Sequence, residues 1–169
     1  MNYIRLLVLA AGVVALLAIT SVASGSGKPL RAPLNNAPFD LPAGFGCTFP
    51  TRYQPLIDRE IVTTFPADAN GDVRQLITGT LVSSLTNSDT GKSIVVNISG
   101  PAVITLHPDG SVDSLGGGIL AFPFFPTDTP PGPHWWLFRG RLNLTFTSSG
   151  NLVLNSLSGT KEDLCLQLS

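Results

Sequence analysis

His107 and His134 are the two imidazoles of the chain, and a nucleophile activated by a histidine base would have to use one of them. His107 stands directly before Pro108-Asp109-Gly110, a turn sequence that makes it a solvated turn residue. His134 flanks the Trp135-Trp136 pair at the end of a proline-rich connection, and no Gly-x-Ser-x-Gly elbow occurs for either histidine to serve. Paired carboxylates can do acid and base work on a glycosidic bond. Asp58 and Glu60 fall on one side of a strand with Arg59 on the other, and the ordinary reading of the pair is a solvated strand face. Asp68-Ala-Asn-Gly-Asp72 superficially resembles a calcium loop, but glycine falls at its fourth position and Gly79 stands where a bidentate glutamate belongs. Two histidines and two cysteines do not make a spaced zinc set. No catalytic set, metal site or cofactor site is read from these residues.

The remaining candidate is aromatic. Leu115 to Phe146 gathers both tryptophans, Phe122, Phe124, Phe125 and Phe138, the run Gly116-Gly117-Gly118 and a proline-rich loop from Pro126 to Pro133. After that loop the residues alternate. Trp136, Phe138, Gly140, Leu142, Leu144 and Phe146 share one face, which is the core face. Trp135, Arg139, Arg141, Asn143 and Thr145 share the other. An outward Trp135 beside two arginines suits a sugar face, a carboxylate or a partner protein. The candidate ligand-binding residues are therefore His134, Trp135, Arg139 and Arg141, with the Pro126–Pro133 loop beside them. On this reading Trp135→Ala leaves the fold intact and weakens binding.

The elements that must hold these residues are strands. Leu56 to Phe65 and Val73 to Thr86 are rich in Ile, Val and Thr and flank Asn70-Gly71, the favoured pair for a tight hairpin. Ile94, Val96 and Ile98 alternate, Val103 to Leu106 follows a Gly-Pro break, and Leu152 to Leu157 follows Ser148-Ser-Gly-Asn151. Phe45, Cys47 and Phe49 also alternate, and Leu164 to Leu168 reads as the last strand. One helical turn is expected at Thr160 to Asp163. About eight short strands joined by Gly, Asn, Asp and Pro turns predict an all-β domain, a single antiparallel β-barrel, with a two-sheet β-sandwich as the alternative.

The chain opens with Arg5, an apolar run from Leu6 to Ile19 and small residues at Ser21 and Ala23. That is the pattern of a secretory signal helix over 1–23, removed after Ala23 and leaving no stable membrane anchor. Residues 24–43, with prolines at 29, 33, 38 and 42, read as a flexible Pro/Gly/Ser-rich leader that becomes extended, and 44–169 as a single β domain. Losing Arg5 leaves nine basic residues against eleven acidic, scattered along the chain. That excludes the basic patch that nucleic acid or an anionic membrane requires. In a secreted chain, Cys47 and Cys165 read as one disulfide. Closing so long a loop contributes up to about 4.7 kcal/mol in the chain-entropy model.

Cys47-Thr-Phe-Pro50, Thr64-Phe-Pro-Ala-Asp-Ala-Asn-Gly-Asp72, Thr78-Gly-Thr80 and Asn97-Ile-Ser-Gly100, taken with the signal segment, resemble small secreted actinobacterial β proteins of uncharacterised activity. The resemblance implies a bacterial exported β domain and carries no catalytic residues. In that setting the sequons at Asn97 and Asn143 are silent. The functional expectation is a secreted, non-catalytic binding or interaction domain for a small molecule, glycan or protein. The alternative is a small β-barrel enzyme, cyclase- or isomerase-like, acting on an apolar ligand in an internal cavity.

Overall fold

A computed structural model describes residues 27–169; the signal segment over 1–23 lies outside the described residues. The strands are β1 (Leu30–Pro33), β2 (Phe39–Leu41), β3 (Thr51–Asp58), β4 (Ile61–Thr64), β5 (Val73–Thr78) and β6 (Leu81–Asn87). They continue as β7 (Ser93–Asn97), β8 (Ala102–Leu106), β9 (Val112–Gly116), β10 (Ile119–Phe124), β11 (His134–Phe146) and β12 (Leu152–Asp163), followed by helix α1 (Leu164–Leu168).

Many of these strands are halves of longer ones. Asp58 opposes Leu81 and Ile61 opposes Thr78, so the pairing of β3 with β6 runs on into that of β4 with β5. Val82 opposes Asn97 and Ile77 opposes Ala102, which makes β7 and β8 one segment in the same way. β9 and β10 lie end to end along β11, from Phe146↔Val112 to Phe124↔His134. The chain is thus an up-and-down meander of long segments bent near their middles, a topology that tight hairpin turns produce directly. That is why twelve strands appear where the sequence suggested about eight.

The bends need glycine at two positions in particular. Gly79 has φ +137°, and a Cβ there would lie 2.3 Å from the Arg59 carbonyl oxygen. Gly140 has φ +127°, and its Cβ would lie 2.2 Å from the Ser158 carbonyl oxygen. Both the backbone angle and the approach of the neighbouring strand exclude a side chain.

Bending divides the meander into two antiparallel sheets. β2-β3-β6-β7 form a four-stranded sheet, and β1-β4-β5-β8-β9-β11-β10, with β12 on β11, form an eight-stranded one. β8 and β9 remain paired while their extensions β7 and β10 do not, so the sheets part between β7 and β10. Among the described residues no pairing closes either sheet into a ring. Leu30–Pro33 and Phe39–Leu41, read from the sequence as leader, pair as strands with β4 and β3.

The N-terminal half of β11 is covered on both faces. Trp135 and Leu137 join Leu41, Tyr53, Leu85 and Leu164 in one core, while Phe138, Leu142 and Leu144 join Phe124 and Leu152 in a second.

The Cys47–Cys165 disulfide is present, at a sequence separation of 118. It does not join the first strand to the last, as expected for barrel closure. Cys47 lies in a run of turns between β2 and β3, where Gly44 and Gly46 with positive φ break the alternation of Phe45, Cys47 and Phe49. Cys165 lies in α1, not in a strand, and the helical turn expected at Thr160–Asp163 begins only after Asp163. The Asp163 carboxylate accepts from the Cys165 amide at 3.0 Å as an N-cap. Leu164, Cys165 and Leu168 then share one buried helical face, a spacing a strand would split between two. No helix among the described residues is long and apolar enough to cross a membrane.

Candidate functional site

Where the sheets part, the bent meander encloses a cleft of about 280 Å³. Its walls are largely apolar, with Ile77, Leu81, Leu85, Val96, Ile98 and Phe122 among the lining residues. Phe39, Tyr53 and Trp135 line it as a stack of near-parallel rings. Phe39 and Tyr53 are cross-strand partners with centroids 4.8 Å apart, and Trp135 reaches over from β11 to 6.0 Å from Phe39 and 6.3 Å from Tyr53.

The polar groups in the lining are few: among the described residues Asn36, Tyr53, Glu60 and Ser114 carry them, and no Lys, Arg or His contributes. Glu60 sits at the junction of β3 and β4 and is 7% exposed. The Asn36 side-chain amide donates to Glu60 Oε2 at 2.9 Å and to Asp58 Oδ2 at 3.1 Å, and the Asn36 backbone amide donates to Asp58 Oδ2 at 2.7 Å. The Asp58 carboxylate also accepts from the Glu60 amide at 3.2 Å. Both carboxylates therefore converge on the segment that links β1 to β2.

Burial pushes the Glu60 carboxyl above its ordinary range, and the neighbouring Asp58 charge adds to this; the Asn36 hydrogen bond pulls the other way without cancelling it. The Tyr53 phenol is likewise raised by burial, opposed by a hydrogen bond of 2.9 Å from Ser83 Oγ and assisted by the charges of Glu60 and Asp58. The arrangement can enclose an apolar molecule and present one carboxyl and one phenol to it.

The solvated strand face read for Asp58 and Glu60 is corrected on this point. The two do share a side, but at a bend that turns the Glu60 side chain into the protein interior. Tyr53 and Asn36 escaped sequence reasoning altogether. A tyrosine in an alternating strand and an asparagine in a proline-rich leader carry no signal until the leader is seen to pair with the sheets.

The four residues read as an exposed binding surface are not brought together as one. Trp135 is 4% exposed and packs inward, against the expectation that it faces solvent, because β11 lies between two cores in this half. Arg139 and Arg141, on the same alternating face further along, are exposed. His134 Nδ1 lies 2.6 Å from Asp163 Oδ2, and its ring sits 4.9 Å from Trp136 in an edge-on contact. Trp136 is half-buried with Lys161 Nζ 3.2 Å from its ring centroid. The Pro126–Pro133 loop is organised by buried Asp128, whose carboxylate accepts from the backbone amides of Phe125 and Leu152, each at 2.6 Å.

The calcium-like run is a turn in which Asp68 Oδ1 accepts from the amides of Asn70 at 2.8 Å and Asp72 at 3.1 Å. His107 is more than a turn residue. It bridges two carboxylates, with Nδ1 3.0 Å from Asp72 and Nε2 3.1 Å from Asp113.

In comparisons with known proteins, no family model, no curated protein and no solved structure matches the chain.

Proposed function

We propose that the protein is an exported, non-catalytic binding domain that takes a small, largely apolar molecule into the cleft between its sheets. The cleft carries this reading: a cavity of about 280 Å³ with mostly apolar walls and few polar groups, among them the hydrogen-bonded Asn36 and Glu60. Ligand pockets commonly begin near about 300 Å³ and have this division of lining. Export is supported by the signal-like segment over 1–23 and by a disulfide of the kind that persists in oxidising compartments. We read the bent meander as a barrel left open between β7 and β10, with the opening as the way in. Trp135 keeps a ligand role from inside the cleft.

A neutral apolar dye, N-phenyl-1-naphthylamine, tests the reading. Saturable one-to-one binding to the oxidised protein is expected, and Ala121→Phe, which fills the cleft, should abolish it while circular dichroism stays unchanged. Absence of saturable binding, or binding untouched by the filled cleft, would sink the proposal.

A second reading, an isomerase- or cyclase-like enzyme, is favoured by one observation: a carboxyl raised by burial inside an apolar cleft is a setting for proton transfer. It predicts that Glu60→Gln binds ligand as before but no longer exchanges an acidic C–H proton of a bound apolar ketone with deuterated water.

A further inference from the structure

We infer that the cleft selects apolar amines, seating the ammonium group against Glu60 beside the Phe39–Tyr53–Trp135 ring stack. The inference rests on the binding reading above and deepens it by naming the ligand class.

Its first support is the state of Glu60. Oε2 accepts from Asn36, whereas no hydrogen bond among the described residues engages Oε1, so one oxygen of a side chain 7% exposed is left for a ligand. The second is the balance of charge. Asp58 and Glu60 stand together with a neutral amide between them, and among the described residues no cationic side chain pairs with either or lines the cleft. A carboxylate taken out of water into apolar surroundings is costly until an opposite charge meets it. An alcohol or ketone would leave that charge uncompensated, and an anion would be repelled. An ammonium group supplies the missing charge and donates to the vacant oxygen in a charge-assisted hydrogen bond. The third is the ring stack, since aromatic faces attract cations by their quadrupoles and offer apolar area to the rest of the molecule.

Glu60 must be ionised to hold the amine. Among the described residues the titratable groups facing it are Asp58 and Tyr53, both from β3; the linings from β5 through β11 and from α1 add none. An aliphatic amine remains protonated to about pH 10. Affinity should therefore rise with pH through the Glu60 titration, which lies above the ordinary value of 4.5.

The test compares 3-phenylpropylamine with 3-phenyl-1-propanol by calorimetry on the oxidised protein. The amine should bind about tenfold or more tightly at pH 7, the gain expected for one hydrogen bond to a charged group. Glu60→Gln should remove that advantage and leave alcohol binding in place. Should the variant not fold, the native protein decides by its pH profile: amine affinity climbing from pH 4 to 8 with alcohol affinity flat supports the inference. Equal binding of amine and alcohol, or a flat amine profile, overturns it while leaving the apolar cleft as a binding site. Failure of both compounds to bind overturns this inference and the binding reading together.

Discussion

Asn36 Nδ2 donates to Glu60 Oε2 at 2.9 Å, tying the link between β1 and β2 to the bend between β3 and β4. The bond spans 24 residues of sequence and holds the one buried carboxylate of the cleft in place. Asn36→Ala removes the donor and leaves a buried acceptor unmet, which costs about 1–3 kcal/mol. Asn36→Asp adds a third carboxylate at the same point. Urea unfolding at pH 7 should show the alanine variant destabilised by that amount and the aspartate variant by more, with the gap between them narrowing at pH 4.

Glu60 makes stability depend on pH in a definite sense. Burial raises its carboxyl above the ordinary value of 4.5, so the native state holds the proton more tightly than the unfolded chain does. Its contribution is present in full below that value and is lost as pH rises through the native one. Glu60→Gln keeps a neutral side chain at every pH. In urea titrations from pH 4 to 7 the native protein should lose ground steadily to the variant, which at pH 7 should be at least as stable. A native protein that gains on the variant with rising pH would contradict the buried setting of Glu60.

The hairpins were legible because Asn70-Gly71 and Pro108-Asp-Gly-Ser111 specify turns locally, and the disulfide because a chain with two cysteines offers each a single partner. The sheet split was not. It depends on Gly79 and Gly140 meeting carbonyl oxygens of neighbouring strands, and nothing in a run such as Thr78-Gly-Thr80 says which backbone will approach. The site was missed for a related reason. Alternation reports that a face changes, whereas burial of both faces of β11 depends on a second layer that the strand itself does not encode. Leu137 was the available hint, an apolar residue on the face assigned to solvent.

Trp135 follows from that correction. It is 4% exposed and stacked near Phe39 and Tyr53, so truncation opens a large hole in the first core. Trp135→Ala should cost about 3–5 kcal/mol, the range for removing a buried large aromatic. Arg139→Ala and Arg141→Ala, at exposed positions on the same strand, should each stay within about 0.5 kcal/mol. Denaturant midpoints separate the two classes. A Trp135 variant as stable as the arginine variants would return that side chain to the surface.

The bends can be tested apart from the cleft. At Gly91, φ is +74° with no atom within 4 Å of a added Cβ, so alanine meets backbone strain alone, about 1–2 kcal/mol. At Gly140, where φ is +127°, the strain of a positive φ is joined by a Cβ 2.2 Å from a carbonyl oxygen of β12, an atom that cannot move aside without unzipping the strand pair. Gly140→Ala should cost more than about 2 kcal/mol and clearly more than Gly91→Ala in the same urea assay. Equal costs would mean that β11 and β12 tolerate a straighter path.

His107 sits between Asp72 and Asp113, and Asp113 is fixed in turn by the Thr145 hydroxyl, which donates to it at 2.6 Å. The bridge spans the ends of β5, β8, β9 and β11, so protonated imidazole clamps neighbouring strands together. Hydrogen bonds to the two aspartates raise the imidazole above its ordinary value of 6.5. Because the native state binds this proton more tightly, the stabilisation is present in full below 6.5 and disappears as pH rises through the higher native value. The ring titration followed by NMR should have a midpoint above 6.5, and Asp72→Asn and Asp113→Asn should each bring it down. His107→Gln should flatten the stability profile over the same window. A midpoint at or below 6.5 in the native protein would show that the two carboxylates do not hold the imidazolium.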